Sequence, residues 1–249
     1  MILRKSRSKK VTLQRAFSKF GVCSRTQAET FIHEGRVLLN GRLETNPEAW
    51  IDIHSDKITL DGQAVRPNQK IYLALNKPRG LVTTRHDPEG RQTVFDCLAE
   101  NGLPFLSPVG RLDKASEGLL LFTNDTALAQ RLLDPALGIG KTYHVQVSGK
   151  PTSRQLSGFT SGIISDGTRL TAARASCVRE GERNAWLEVE LTEGKNRQIR
   201  RMVESLGLEC LRLIRVAIHD IELGDLPKGS FRHLERPEVQ RLLKIVDLA

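Results

Sequence analysis

The spacing of apolar residues predicts a small helical module near the start of the chain. A first helix is indicated by apolar residues that recur at the interval of one helical face: Leu13, Ala16, Phe17 and Phe20. Gly21 is a typical helix-ending residue, so this helix should stop there. Ser24 and Gln27 have the spacing of a capping box, which predicts a second helix that ends at Gly35.

After this module the pattern changes to short strands. Val37–Leu39 predicts a strand, and Asn40-Gly41 predicts a tight hairpin turn behind it. Residues 63–70 show no periodicity and contain Arg66-Pro67-Asn68, so they predict a linker. Later strands are predicted at Ile71–Leu75, Leu119–Phe122, Tyr143–Val147, Trp186–Leu191 and Leu211–Ile218, with helices near Thr126–Leu133 and Ile199–Leu206. Strands and helices without regular alternation indicate a mixed α+β domain over residues 71–249.

Charge narrows the classes of partner. The chain has 249 residues and a formal net charge of +9, which favours a polyanionic partner such as nucleic acid. A basic N-terminal arm is predicted from a cluster of cations: Arg4, Lys5, Arg7, Lys9 and Lys10. No apolar segment follows this arm and no run is long enough to cross a membrane, so we expect a cytoplasmic protein. The cysteines form no Cys-x-x-Cys pair, so we expect neither a zinc site nor a disulfide framework.

The residues with the clearest chemical potential fall in three segments. Gly110-Arg111-Leu112-Asp113 places a carboxylate between cations just before an apolar strand, and such strand-end loops commonly carry catalytic groups. Glu193–Met202 places several arginines at the start of a predicted helix, and Lys141-Thr142-Tyr143 begins a predicted strand. On these segments the chain resembles the pseudouridine synthases that modify ribosomal RNA.

This resemblance implies an isomerase that flips one uridine out of its stack and needs no cofactor or metal. It implies that Asp113 is the catalytic carboxylate, that Tyr143 stacks on the flipped base, and that Arg200 forms an ion pair with Asp113. The helical pattern places Arg200 on the flank between the apolar and polar faces, which predicts a half-buried side chain. Two chemical routes stay open: the carboxylate attacks C1′ directly, or it helps to form a glycal intermediate.

A second resemblance covers the N-terminal segment. Gly21–Arg25, Ala28-Glu29 and Glu34–Val37 are similar to the S-four-type (alpha-L) RNA-binding module. We therefore predict a basic arm and an RNA-binding α/β domain over residues 1–62, followed by a catalytic domain built on a mainly antiparallel sheet. The predicted RNA contacts are basic side chains in both domains: Arg15, Lys19, Arg25, Arg36, Lys77, Arg79, Arg111, Lys141, Lys195, Arg197 and Arg201.

The expected partner is ribosomal RNA, with the large-subunit (23S) RNA favoured, either free or in an assembly intermediate, and the protein is expected to be a monomer. Two alternatives compete with this function. A non-catalytic RNA-binding assembly factor would keep the basic surface without needing Asp113. A glycosidase-like hydrolase would instead use Asp113 and Glu117 as paired carboxylates.

Overall fold

The computed structural model describes residues 10–99 and 102–248. Most of the predicted basic arm (Arg4, Lys5, Arg7 and Lys9) therefore lies outside the described residues. The chain divides into two compact units. The first contains the chain up to Ile71 together with Gly102–Ser107 and Thr123–Thr126, and the second contains the remainder. Within the described ranges, no helix is long and apolar enough to cross a membrane.

The first unit combines two helices with short strands. Its elements are β1 (Lys10–Thr12), α1 (Leu13–Lys19), α2 (Arg25–His33), β2 (Val37–Leu39), β3 (Arg42–Leu43), β4 (Trp50–Asp52), β5 (Ile58–Leu60) and β6 (Gln63–Ala64). β1 pairs with β4, while the other strands form an antiparallel sheet in the order β3-β2-β5-β6. Buried residues of α1, such as Phe17, share one core with Ile32 of α2 and with Val37.

Local signals in the sequence explain how this unit begins. Ser24 Oγ accepts a hydrogen bond from the Gln27 amide at 3.0 Å, and the Gln27 side chain accepts one from the Ser24 amide at 3.0 Å. This reciprocal capping box confirms the predicted start of α2. Asn40 and Gly41 both have positive φ, at 53° and 81°, as a tight hairpin turn between β2 and β3 requires.

The segment predicted as a linker, residues 63–70, begins with a short strand and continues without helix or strand. Gln63–Ala64 pairs with β5 as strand β6, and the amide of Asn68 donates to Phe20 O at 2.9 Å. The side chain of Asn124 donates to Gln69 O at 2.8 Å and accepts from the Ile71 amide at 2.8 Å. Single polar contacts hold this segment within the first unit, and such contacts leave no periodic pattern in the sequence.

The second unit contains the larger sheet. The elements after Ile71 are β7 (Tyr72–Lys77), β8 (Ser107–Pro108), β9 (Glu117–Thr123), α3 (Thr126–Leu132), β10 (Lys141–Ser148), α4 (Ser153–Ser161), β11 (Ile163–Ser165), β12 (Thr168–Leu170), β13 (Arg174–Glu180), β14 (Asn184–Leu191), α5 (Gln198–Ser205), β15 (Cys210–Ile218), β16 (Ile221–Glu222), β17 (Phe231–His233) and α6 (Arg236–Ile245). The predicted strands and both predicted helices of this unit are confirmed. The pattern did not predict the helices α4 and α6, the strand β13 or the short strands β8, β11, β12, β16 and β17.

The large sheet is mixed and mainly antiparallel, as expected. Its strand order is β13-β14-β10-β15-β9-β7-β17. The pairs β13–β14, β14–β10, β10–β15 and β7–β17 are antiparallel, while β15 and β9 run parallel. One face of β10 and β14 carries buried residues such as Val145 and Leu187, which share a core with Met202 of α5. Helix α5 therefore packs on this face of the sheet.

Gly118 allows the close approach of β9 and β15. It pairs with Arg215 across the parallel junction and has φ +100°. A Cβ atom at this position would lie 2.2 Å from Arg215 O, closer than any real contact. The backbone neighbours leave no room for relief, since the obstructing atom belongs to a central strand.

We predict that Gly118→Ala destabilises the fold far more than Gly149→Ala. Both glycines have positive φ, but a Cβ at Gly149 meets nothing within 4 Å. Backbone strain should cost each variant about 1–2 kcal/mol, and overpacking should add about 1–3 kcal/mol at Gly118 alone. Chemical denaturation of both variants measures this difference in the free energy of unfolding. Equal losses would contradict the steric explanation.

Candidate active site

A cleft of about 450 Å³ opens in the second unit beside the predicted catalytic aspartate. Several elements contribute its lining: the loop before β9 (Asp113), the start of β10 (Lys141 and Tyr143), the segment before α5 (Arg197) and the strand β15 (Arg215). The volume lies within the range of small-ligand sites, about 300–1,000 Å³. The structure therefore brings Asp113 and Tyr143 to one cleft.

The carboxylate of Asp113 is half-exposed and faces a single arginine. Its Oδ2 lies 4.0 Å from Nη1 of Arg197, and the two side chains are 40% and 48% exposed. An ion pair this exposed stabilises a fold little, so the pair matters for orienting the carboxylate more than for folding. Arg197 precedes α5 with φ +46°, a left-handed conformation that is uncommon for residues other than glycine.

The predicted ion pair between Arg200 and Asp113 is wrong. Arg200 is only 8% exposed, and its Nη2 donates to Ala115 O at 3.0 Å. Its Nη1 is 3.5 Å from Cys210 O, and its buried Nε has no hydrogen-bond partner in the described part of the chain. The helical pattern placed Arg200 at the apolar boundary, as found, but it could not show that a backbone carbonyl rather than the Asp113 carboxylate would meet it.

Lys77, at the end of β7, is also placed differently from the prediction. It was expected to contact RNA, but it is completely buried. Its ammonium donates to Asp113 O at 3.1 Å, to Ser116 O at 2.8 Å and to Pro78 O at 3.2 Å. Burial lowers the pKa of Lys77 to about 8, although the charges of Asp113 and Glu117 oppose this shift. Lys77 therefore holds the aspartate loop, residues 112–116, through hydrogen bonds on its buried side.

Every backbone carbonyl of residues 112–116 accepts a hydrogen bond from a fixed donor. Thr83 Oγ1 donates to the carbonyl of residue 112 at 2.7 Å, and the Gly80 amide donates to that of residue 114 at 2.8 Å. Lys77 donates to the carbonyls of residues 113 and 116, and Arg200 donates to that of residue 115. A catalytic group needs a backbone that stays in the productive geometry, and this set of donors restrains the loop at each residue.

Glu117 follows the loop and is neutralised by two cations. Arg212 binds it with Nε and Nη2 at 2.7 and 2.9 Å, and the Lys228 ammonium lies 2.7 Å away. The hydrogen bonds from Arg212, and then that from Lys228, lower the pKa of Glu117 to about 2. A carboxylate with this pKa stays ionised near neutral pH and cannot donate a proton there. Glu117 is therefore unsuited to be the general acid of the hydrolase alternative.

Two further residues at the cleft come from neighbouring strands. Tyr143 of β10 is half-buried and is the cross-strand partner of Arg215. Lys141 donates to Ile139 O at 3.0 Å. Burial, and then repulsion by the charge of Arg215, lowers the pKa of Lys141 below its usual value. This side of the cleft thus combines the ring of Tyr143 with the cations of Lys141 and Arg215.

Other predicted RNA contacts in the second unit differ in how available they are. Arg79 and Arg111 are exposed, and Arg111 lines the cleft. Lys195 also lines it, but its ammonium donates to Arg169 O at 2.9 Å and lies 2.9 Å from Glu193. The guanidinium of Arg201 donates to a backbone carbonyl in the strand β11. It also lies 3.3 Å from the exposed carboxylate of Asp166, the residue after that strand. Arg201 therefore anchors the β11–β12 turn.

In the first unit the predicted contacts also divide. Arg15 and Arg25 are exposed on α1 and α2, and Lys19 is half-buried. Arg36 is engaged in ion pairs, because it binds Asp61 at 3.0 and 2.6 Å and Glu34 at 3.1 Å. The structure thus favours the two helical arginines as the accessible cations of this set.

Comparison with known proteins identifies the family to which this geometry belongs. Residues 71–205 match the model of RNA pseudouridylate synthase. The chain belongs to the RNA pseudouridine synthase family. It is 36% identical to ribosomal large subunit pseudouridine synthase B of Bacillus subtilis, over 94% of this chain and 96% of that protein. It is 37% identical to the protein of that name from Yersinia pestis, over 95% of this chain and 76% of the relative.

A solved structure extends the likeness to the fold. A crystal structure of a pseudouridylate synthase superimposes with a TM-score of 0.66 at 25% identity, over 93% of this chain and 99% of that one. The mixed α+β fold with a mainly antiparallel sheet is therefore shared with a member of the family. Among residues 10–99 and 102–248, no group of three or more His, Cys, Asp or Glu side chains could hold a metal ion.

Arg215, which lines the cleft beside Asp113 and Tyr143, was not singled out from the sequence. The signal was present, because alternate residues of a strand share a face and Arg215 has the phase of Leu213. An arginine in register with core residues of a central strand is unusual enough to indicate a site. The donors Thr83 and Gly80 were also missed, and nothing in the sequence marks which carbonyl they meet.

We predict that Lys77→Met lowers both activity and stability. The substitution leaves the carbonyls of Asp113 and Ser116 without their buried donor, at a cost of about 1–3 kcal/mol. The stability difference should also depend on pH. The buried charge of Lys77 destabilises the folded state below pH 8, and this penalty is relieved as pH rises from about 8 towards 10.5, the ordinary value.

The free energy of unfolding of the wild type should therefore rise relative to Lys77→Met through that window, by at most about 1.4 kcal/mol per pH unit. Urea denaturation at several pH values on both sides of pH 8 measures the difference. The control is Lys114→Met, which removes an exposed lysine of the same loop. Parallel curves for wild type and Lys77→Met would contradict the assignment.

Proposed function

We propose that the protein converts one uridine of large-subunit ribosomal RNA to pseudouridine, with Asp113 as its catalytic carboxylate. The observation that carries this proposal is the clamped loop of residues 112–116, which presents a half-exposed aspartate to a cleft suited to a nucleotide. The names of the relatives from Bacillus subtilis and Yersinia pestis support the choice of the large-subunit RNA.

In the proposed reaction the C1′–N1 bond of the uridine breaks and its electron pair stays on the uracil. Asp113 either forms a bond to C1′ or removes the proton from C2′ to give a glycal. The uracil then turns and its C5 forms a bond to C1′, while C5 loses a proton and N1 gains one. This bond displaces Asp113 from C1′ on the first route, and on the second route Asp113 returns the proton to C2′. The atoms of substrate and product are the same, so the reaction needs no oxidant, reductant or water.

The surrounding residues supply orientation and base binding in this proposal. Arg197, 4.0 Å from Asp113, directs the carboxylate into the cleft. Tyr143 offers an aromatic face on which a flipped base can stack. Arg200 acts through the carbonyl of Ala115, as a positioning residue behind the loop.

The first unit is proposed to bind RNA in the manner of the S-four-type module. Arg15 and Arg25 are exposed and lie on two helices that share one core, so their separation is fixed. The same proposal includes a monomer and a cytoplasmic location, since the four cysteines are free and bacterial ribosomes are assembled in the cytoplasm. The competing proposal of a non-catalytic assembly factor keeps these contacts but needs no reactive aspartate.

Mapping of pseudouridine in ribosomal RNA tests the reaction. We expect one large-subunit uridine to lose its modification when the gene is deleted, and to regain it with wild type but not with Asp113→Asn. The variant should lose at least about 10³-fold in rate, while its RNA affinity changes little, because phosphate contacts supply most of the binding. Restoration of the modification by Asp113→Asn would refute the role of the carboxylate. Unchanged modification after deletion would favour the non-catalytic alternative.

Salt dependence tests the RNA contacts of the first unit. The double substitution Arg15→Ala/Arg25→Ala should weaken RNA binding and reduce the slope of log K against log salt by about 2, roughly one for each phosphate contact. The double substitution Arg42→Ala/Arg66→Ala removes the same charge from exposed positions of the unit and should leave the slope closer to that of the wild type. Equal slopes for the two double variants would argue against specific contacts by the helical arginines.

A further inference from the structure

Arg215 is a buried cation with unused hydrogen-bonding capacity. It is 3% exposed, and its Nε donates to Leu119 O at 2.7 Å. Its Nη2 is buried and has no hydrogen-bond partner among the described residues. Buried polar groups in native proteins are nearly always paired, so an unpaired guanidinium nitrogen at a cleft calls for a missing acceptor.

The position of Arg215 places that missing acceptor in the cleft. Arg215 contributes to the cleft lining together with Asp113 and Tyr143. It pairs with Gly118 on one side and with Tyr143 on the other, in the middle of the sheet. Its backbone is therefore held by two neighbouring strands, which fixes where the guanidinium can reach.

A second cation lies near enough to feel this charge. Lys141 also lines the cleft, and repulsion by Arg215 adds to burial in lowering its pKa. A buried cation and a half-buried one that repel each other are stabilised by an electron-rich group between or beside them. The lining thus favours an oxygen acceptor that carries, or gains, negative charge.

We propose that Arg215 is a substrate-binding residue that donates a hydrogen bond to a carbonyl oxygen of the target uracil. The inference rests on the proposed function and deepens it by assigning the base-binding group. Arg111 is exposed and suits a phosphate, and Arg197 faces Asp113, whereas Arg215 is buried beside Tyr143. A base that stacks on Tyr143 presents its edge to the neighbouring strand.

This contact also becomes stronger as the reaction proceeds. When the C1′–N1 bond breaks, the electron pair left on the uracil is shared by O2 and O4. The hydrogen bond from the Arg215 cation to a neutral carbonyl then becomes one to an anionic oxygen, which favours the bond-broken state over the bound substrate. Arg215 is thus expected to affect the rate of the chemical step as well as binding.

The simpler reading gives Arg215 a purely structural function through its bond to Leu119 O. A substrate-atom cycle separates the two readings. The probes are fragments of 23S ribosomal RNA that carry the mapped uridine as uridine, 2-thiouridine or 4-thiouridine, or with a methylphosphonate at its 5′ phosphate. Single-turnover rates are measured for the wild type, Arg215→Met and Arg215→Lys, with denaturation curves to establish that each variant is folded.

We expect one thio substitution to slow the wild type by about tenfold more than it slows Arg215→Met, because sulfur is the weaker acceptor and the variant has no donor to lose. Intrinsic effects of sulfur on the chemistry cancel in this ratio. Arg215→Lys keeps the charge and a donor, so its thio penalty should lie between those of the wild type and Arg215→Met. This variant serves as the test if Arg215→Met fails to fold. Arg212→Met changes an arginine of the same strand that does not line the cleft, and should retain the wild-type thio penalty.

An equal thio penalty in the wild type and the Arg215 variants would overturn the proposal and leave Arg215 a structural residue. Coupling to the methylphosphonate instead of sulfur would overturn it in favour of a phosphate contact. If the wild type forms no pseudouridine in the unmodified fragment, the proposed function itself fails and this inference fails with it.

Discussion

The active site depends on the burial of one ammonium group beneath the aspartate loop. Lys77 stands at the end of β7 with no solvent contact, and burial lowers its pKa to about 8. Such a charge is tolerated only where strong acceptors surround it, and here three backbone carbonyls do so. The loop cannot move away without leaving the ammonium unpaired, so the cost of burying Lys77 holds Asp113 in place.

The large positive charge of the chain is divided between distinct tasks. The net charge of +9 suggests a surface for polyanions, yet several of the predicted RNA contacts serve the fold. Lys77 binds backbone carbonyls, Arg36 binds two carboxylates, and Arg201 anchors a turn. Exposed cations outside these contacts, among them Arg15 and Arg25, are those on which RNA affinity can depend. Charge composition therefore indicates the class of partner better than it identifies the contacts.

Sequence patterns predicted the parts of the structure that depend on local chemistry. The helical spacing, the capping box at Ser24 and the hairpin turn at Asn40 depend on neighbouring residues, and each is confirmed. The match to the family motif likewise indicated which aspartate belongs in the cleft. The contacts of the segment at residues 63–70 and the partner of Arg200 were not predicted, because both depend on residues that are distant in the sequence, such as Asn124 with Gln69 and Arg200 with Ala115. No periodicity records contacts of this kind.

Two arginines at the start of α5, Arg197 and Arg200, make different contacts with the loop that carries Asp113. Arg200, inside the helix, reaches the loop from behind through Ala115 O, while Arg197, before the helix, faces Asp113 from the cleft. Arg197 does so from φ +46°, a conformation that costs a non-glycine residue about 1–2 kcal/mol. Glycine at position 197 would relieve the backbone strain, but it would also remove the guanidinium. Strain of this kind persists where the surrounding structure enforces it, and here it holds a cation 4.0 Å from the carboxylate.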